Sequence, residues 1–117
     1  MRRLVEVRTY RLRPGTSAVF HDAFVKRGIP LVKSAGMDVV AFGLSAGDPD
    51  GYFLLRAFAS LEDRQATEDA FYASDAWRKG PRQSIIELIE SYQDTLVWLS
   101  VEAIDNLRRD LRPAAAS

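Results

Sequence analysis

Residues 3–15 read Arg-Leu-Val-Glu-Val-Arg-Thr-Tyr-Arg-Leu-Arg-Pro-Gly. Charged or polar side chains alternate with apolar ones over about ten residues, which predicts a strand, and Pro14-Gly15 stops it. Thr16 or Ser17 can then cap a helix, so the stretch opens a βαβ unit. Period-two alternation puts Glu6, Arg8 and Tyr10 on one face of the strand. Three such groups on a covered face must be solvated, paired with one another, or used as a polar lining.

Working outward, Phe20, Ala23, Phe24 and Leu31 mark the apolar face of the first helix. Gly28 and Pro30 predict a bend or restart within it, because glycine weakens a helix interior and proline lacks a donor. Gly36 ends the segment. Residues 37–45 and 52–58, rich in β-branched and aromatic side chains, predict two strands joined as a hairpin by Gly47-Asp48-Pro49-Asp50-Gly51. Ser60 with Asp63 is a capping-box variant that starts a second helix near Leu61, with Ala66, Ala70, Ala73 and Trp77 as its repeating apolar positions. Ser74-Asp75 restarts the helix as a short turn, Gly80-Pro81 breaks the chain, and Ile85, Ile86, Leu88 and Ile89 supply another apolar piece. Residues 91–100 predict the last strand. Ile104, Leu107 and Leu111 then mark a short amphipathic helix before a frayed end from Arg112.

The order βαββαβ predicts an α+β, ferredoxin-like fold: a four-stranded antiparallel sheet, first and third strands central, helices on one face. Residues 1–101 form that domain and 102–117 a C-terminal extension. The apolar runs Tyr52–Leu55 and Leu96–Leu99 imply strands buried on both faces, and hence a second layer from another copy of the chain. A homodimer through the sheet face is the expected assembly.

Composition narrows the function. With 117 residues, one domain with a substantial core is expected. Sixteen Lys and Arg balance sixteen Asp and Glu, so no global field recruits nucleic acid or an anionic membrane. There is no cysteine and one histidine, which excludes thiol chemistry, disulfides and a multi-histidine metal site within one chain. No apolar run reaches the roughly 18 residues of a membrane span. These readings give a cytoplasmic protein with neither cofactor nor metal. The phosphate-loop, dinucleotide, nucleophile-elbow and zinc-protease motifs are absent.

Arg8-Thr9-Tyr10 ahead of Arg13-Pro14-Gly15, then Gly28-Ile29-Pro30, Ser60-Leu61-Glu62-Asp63-Arg64 and Ser74-Asp75-Ala76-Trp77 are ordered landmarks over about residues 4–100. In that order and spacing they resemble the NIPSNAP family of the dimeric α/β-barrel superfamily. The departure is Ala76, where relatives often carry a proline. The resemblance implies two sheets packed face to face into a barrel, and it implies no agreed reaction.

Candidate chemistry centres on the first strand. Glu6 lying near Arg56 of the third strand would form a structural charge cluster, and Arg8 and Tyr10 share its face. His21, the one side chain expected to titrate near neutrality, borders the Phe20/Phe24 stripe and is a candidate base beside Tyr10 and Arg8. Phe24, Tyr72, Trp77 and Tyr92, with Phe71 and Trp98, are candidates for an aromatic wall between helices and sheet. The alternative for each is core packing or pairing within the fold. Two functions follow: a dimeric module binding a small organic molecule between sheet and helices, or a cofactor-free monooxygenase or isomerase acting on an aromatic or carbonyl-containing molecule.

Overall fold

The opening stretch becomes β1 (Arg2–Leu12), and the hairpin becomes β2 (Asp38–Leu44) and β3 (Gly51–Phe58), with β4 (Ile89–Ser100) last. In the computed structural model, which describes residues 1–112, these strands form one antiparallel sheet in the order β2-β3-β1-β4. Between them run α1 (Ser17–Ala23), a π-helical segment (Phe24–Gly28), α2 (Ile29–Ser34), α3 (Leu61–Ala73), α4 (Asp75–Arg78) and α5 (Arg82–Ile86), and α6 (Val101–Asp110) follows β4. The ferredoxin-like α+β order is therefore present, with β1 and β3 side by side at the centre.

Alternation along β1 divides the protein into two cores. Leu4, Tyr10 and Leu12 join Tyr52, Leu54 and Phe58 of β3 against Phe20, Phe24, Ile29, Val32, Phe71, Trp77 and Ile85 from the helical layer. Val5 faces the other way, with Leu55, Ala57, Val40 and Ala41, and is covered there by Ile104 of α6. Within the βαββαβ domain the helices cover one face as expected, and α6 of the C-terminal extension lies on the second face because Ile104 and Leu107 give it an apolar edge. Val7, Phe53, Val97 and Leu99 on that face stay partly exposed.

A helix restarts at Gly28-Pro30 as predicted, without the chain leaving helical backbone. Helical backbone continues from α1 into α2 through the π segment, where the Ile29 N–H reaches back to the Phe24 carbonyl. Pro30 falls in the first turn of α2, where a missing N–H costs least. Gly28 makes room there for two side chains. A Cβ on it would lie 3.0 Å from Phe24 Cδ1 and 3.2 Å from Ile85 Cδ1. Gly36 ends α2 at φ +89°, a conformation that glycine adopts without strain.

The second helix starts as expected: Ser60 Oγ accepts from the Asp63 N–H, and Asp63 Oδ2 accepts from the Ala59 N–H. Ser74 caps α4 by accepting from the Trp77 N–H, so the restart occurs without a proline at position 76. The face of α3 differs from the sequence reading. Ala66, Ala70 and Ala73 are exposed, whereas Glu68 and Phe71 are buried and Arg64 and Tyr72 partly so. Charges on β1 and β3 need partners, and the i, i+4 stripe Arg64, Glu68, Tyr72 supplies them.

The two strands expected to be buried on both faces once a second copy is added hold different places in the single chain. β4 is a sheet edge, and within one chain Trp98 remains 45% exposed. β3, being central, is buried nearly throughout. The expected frayed end falls largely on residues 113–117, outside the described residues. Among the described residues no helix is long and apolar enough to cross a membrane.

Candidate functional site

Register sets the polar centre of the site. Glu6 on β1 stands opposite Arg56 on β3 and Leu96 on β4, while Arg8 stands opposite Leu54 and Asp94. Neither Glu6 nor Arg56 has measurable exposure. Arg56 Nε donates to Glu6 Oε2 at 2.7 Å, and Arg56 Nη2 lies 2.5 Å from the same oxygen. Arg64 donates from Nη2 and Nε to Glu6 Oε1 at 2.9 and 3.1 Å. Arg8 grips Asp94 with both prongs, Nε to Oδ1 at 2.7 Å and Nη2 to Oδ2 at 2.9 Å. This two-pronged geometry fixes the guanidinium plane. The plane also lies near Tyr92, with Arg8 Cζ 4.5 Å from the ring centroid.

Three groups in this cluster keep unused bonding capacity: Arg56, whose buried Nη2 makes no well-directed hydrogen bond, Tyr72 and Glu68. The Tyr72 hydroxyl accepts from Arg8 Nη1 at 3.0 Å and Arg56 Nη1 at 3.2 Å, which leaves its own proton to donate. Glu68 Oε2 lies 3.2 Å from Arg64 Nε and 3.4 Å from Arg56 Nη2, yet this buried oxygen accepts no well-directed hydrogen bond. Burial, reinforced by the neighbouring Glu6 carboxylate, pushes the Glu68 carboxyl up to about 7. Burial opposes charge on Glu6 as well. There the hydrogen bond from Glu68 and the guanidiniums of Arg56, Arg8 and Arg64 prevail, holding its carboxyl below the ordinary value. Burial raises the Tyr10 phenol despite nearby Arg8, so Tyr10 stays protonated.

Beside the cluster lies a cavity of about 330 Å³ between helices and sheet. Arg8, Arg64, Glu68, Tyr72 and Asp94 form its polar end; Phe24, Phe71, Trp77, Ile85 and Tyr92 are among its apolar walls. Of the residues singled out from the sequence, Arg8, Tyr10, Phe24, Phe71, Tyr72, Trp77 and Tyr92 line this cavity. His21 does not: it is partly exposed, and its Nδ1 lies 2.6 Å from the Tyr52 hydroxyl. Trp98 lies away from the cavity at the sheet edge. Arg64, Glu68 and Asp94 were missed. The four-residue spacing of Arg64, Glu68 and Tyr72 was the available signal, obscured by alanines that suggested another inward face. Among the described residues no His, Asp and Glu side chains gather as a metal site.

Comparison with known proteins places this geometry in a family. The NIPSNAP family profile matches residues 5–100. The chain belongs to the NIPSNAP family. A NIPSNAP family protein of unknown function from Agrobacterium tumefaciens is 26% identical, with a TM-score of 0.76 over 84% of this chain and 88% of that one. A second NIPSNAP family protein from the same organism is 20% identical, with a TM-score of 0.77 over 85% and 87%. The fold extends beyond NIPSNAP proteins. A Bordetella bronchiseptica protein provisionally named an antibiotic biosynthesis monooxygenase is 16% identical, with a TM-score of 0.65 over 86% of this chain and 100% of that one. No curated protein matches the sequence.

Proposed function

We propose that this NIPSNAP protein binds a small organic molecule with an aromatic or apolar body and a carbonyl or acidic head. The observation that carries this reading is the cavity between sheet and helices, whose walls are aromatic and aliphatic at one end and charged at the other. The apolar body would pack against Phe24, Phe71, Trp77 and Ile85, and the head would meet Tyr72, Arg64 and Glu68. Pairing of two chains through the second sheet face, where Val7, Phe53, Val97 and Leu99 remain partly exposed, is part of the same proposal. So is a cytoplasmic location, which the absence of cysteine favours.

The test uses Trp77 as reporter. A Trp98→Phe variant leaves Trp77 as the one tryptophan, because the chain contains two. Titration with phenylacetone, phenylacetate and benzaldehyde should change its fluorescence saturably for at least one of them. No saturable change with any of the three up to solubility rejects the cavity as a ligand site.

A second reading, cofactor-free chemistry on a carbonyl compound, is favoured by one observation: the under-bonded Glu68 carboxyl at the cavity's polar end.

A further inference from the structure

We infer that Glu68 and Tyr72 form a proton-transfer pair for an enolisable arylmethyl ketone, with Glu68 removing a proton from the carbon beside the carbonyl and Tyr72 donating to the enolate oxygen. The inference rests on the reading of the cavity as a ligand site, and it adds a reaction to that reading. The two residues are one turn apart on α3, so their side chains emerge on the same face, and both line the cavity.

Each has the bonding state its role requires. Glu68 is about nine-tenths buried; its Oε2 is sealed against the Arg64 and Arg56 guanidiniums, whereas Oε1, 3.6 Å from Arg8 Nη2 and without a hydrogen bond among the described residues, keeps a lone pair for the cavity. The Tyr72 oxygen is already approached by two guanidinium N–H groups, which polarise the hydroxyl and leave its proton for an acceptor in the cavity. A donor fixed beforehand by its neighbours needs no reorganisation when charge develops on the substrate oxygen.

Charge balance favours the step. Around Glu68 stand Glu6 and Arg8 from β1, Arg56 from β3, Asp94 from β4 and Arg64 from its own helix. Three guanidiniums against the carboxylates of Glu6 and Asp94 leave one positive charge, which ionised Glu68 neutralises. In the reaction a C–H bond breaks, its proton moves to a Glu68 oxygen, and the electron pair becomes the enolate C=C while the carbonyl π pair moves onto oxygen. The cluster then carries one net positive charge beside one new negative charge on the enolate. Return of the proton to the same carbon gives exchange, and return to a conjugated γ-carbon gives an isomerised product. Neither path needs an oxidant or a second substrate. A carboxyl with a pKa of about 7 is matched to this work at neutral pH, since it is substantially ionised there and retains basicity.

The experiment follows deuterium uptake at the methylene of phenylacetone in D₂O by proton NMR, with binding of the same ketone read from Trp77 fluorescence in the Trp98→Phe background. Wild type should exchange the methylene well above the buffer rate, and the rate should climb as pH rises through about 7, where Glu68 loses its proton. Glu68→Gln, nearly isosteric, should still bind but lose about 100-fold in exchange and the pH dependence with it. Tyr72→Phe should lower exchange by about 100-fold and keep the pH profile. Saturable binding without exchange above buffer overturns the proton-transfer proposal and leaves the binding reading intact. Exchange undiminished in Glu68→Gln overturns the assignment of the base. Loss of saturable binding for all three probes removes the ligand site and this reaction together.

Discussion

At the residue scale, the buried cluster distributes two opposite titration behaviours over neighbouring carboxyls. Glu6 is held below its ordinary value of 4.5, so its contribution to stability is full above that value and is lost as pH falls through the folded one. Glu68 is raised from 4.5 to about 7, so the sign reverses: its contribution is full below 4.5 and lost as pH rises through about 7. Above neutrality the folded state therefore carries an ionised carboxylate that it disfavours. Glu68→Gln, which mimics the protonated acid, should melt higher than wild type at pH 8 and close to it at pH 4, as read by thermal denaturation followed by circular dichroism. A variant less stable than wild type at pH 8 would mean that ionised Glu68 holds the three arginines together. The cost of keeping such a group inside a stable fold is what a functional site commonly imposes.

At the element scale, the π segment and its glycine connect helix geometry to cavity volume. The Phe24 ring and Ile85 side chain close on Gly28, and all three line the cavity. Alanine at 28 gains about 1 kcal/mol in helix propensity, but its methyl must displace one of those side chains. Gly28→Ala should leave the melting temperature within a few degrees of wild type, because the two effects oppose one another, and should weaken phenylacetone binding several-fold by narrowing the apolar end. Undiminished binding would show that Phe24 and Ile85 yield outward, and that the ligand does not reach this wall.

At the scale of the whole molecule, the proposed pairing of two chains is tested at the second sheet face. Leu55 is already buried within the chain's own cluster with Ile104, so a change there reports on folding. Phe53 is partly exposed on the same face of the same strand, so a change there reports on association. Wild type should scatter light as a dimer at micromolar concentration, and Phe53→Asp should give a folded monomer, because a carboxylate facing an apolar partner layer is costly. A stable, well-folded wild-type monomer would reject the paired-sheet assembly. A dimer paired in this way would bear on the cavity only indirectly, since the cavity lies on the helical side of the sheet.

The sequence by itself determined the strand order, the hairpin, the helix starts at Ser60 and Ser74, and the nearness of Glu6 or Arg8 to Arg56. These follow from local chemistry: period-two alternation, turn residues and hydroxyl caps act within a few residues of themselves. The sequence also placed Arg8, Tyr10 and Glu6 on one face, because alternation leaves no other arrangement. Only the tertiary structure decided which face of α3 points inward, since Ala66, Ala70 and Ala73 form as regular a stripe as Arg64, Glu68 and Tyr72. The buried guanidiniums of β1 and β3 resolved that choice by demanding carboxylates and a hydroxyl from the helix above. His21 illustrates the converse. Its position at the border of an apolar stripe suggested a cavity wall, but the direction of α1 across the sheet brings it to the Tyr52 hydroxyl instead. Helix orientation over a sheet is a property of the packed layers, and no local signal in the chain encodes it.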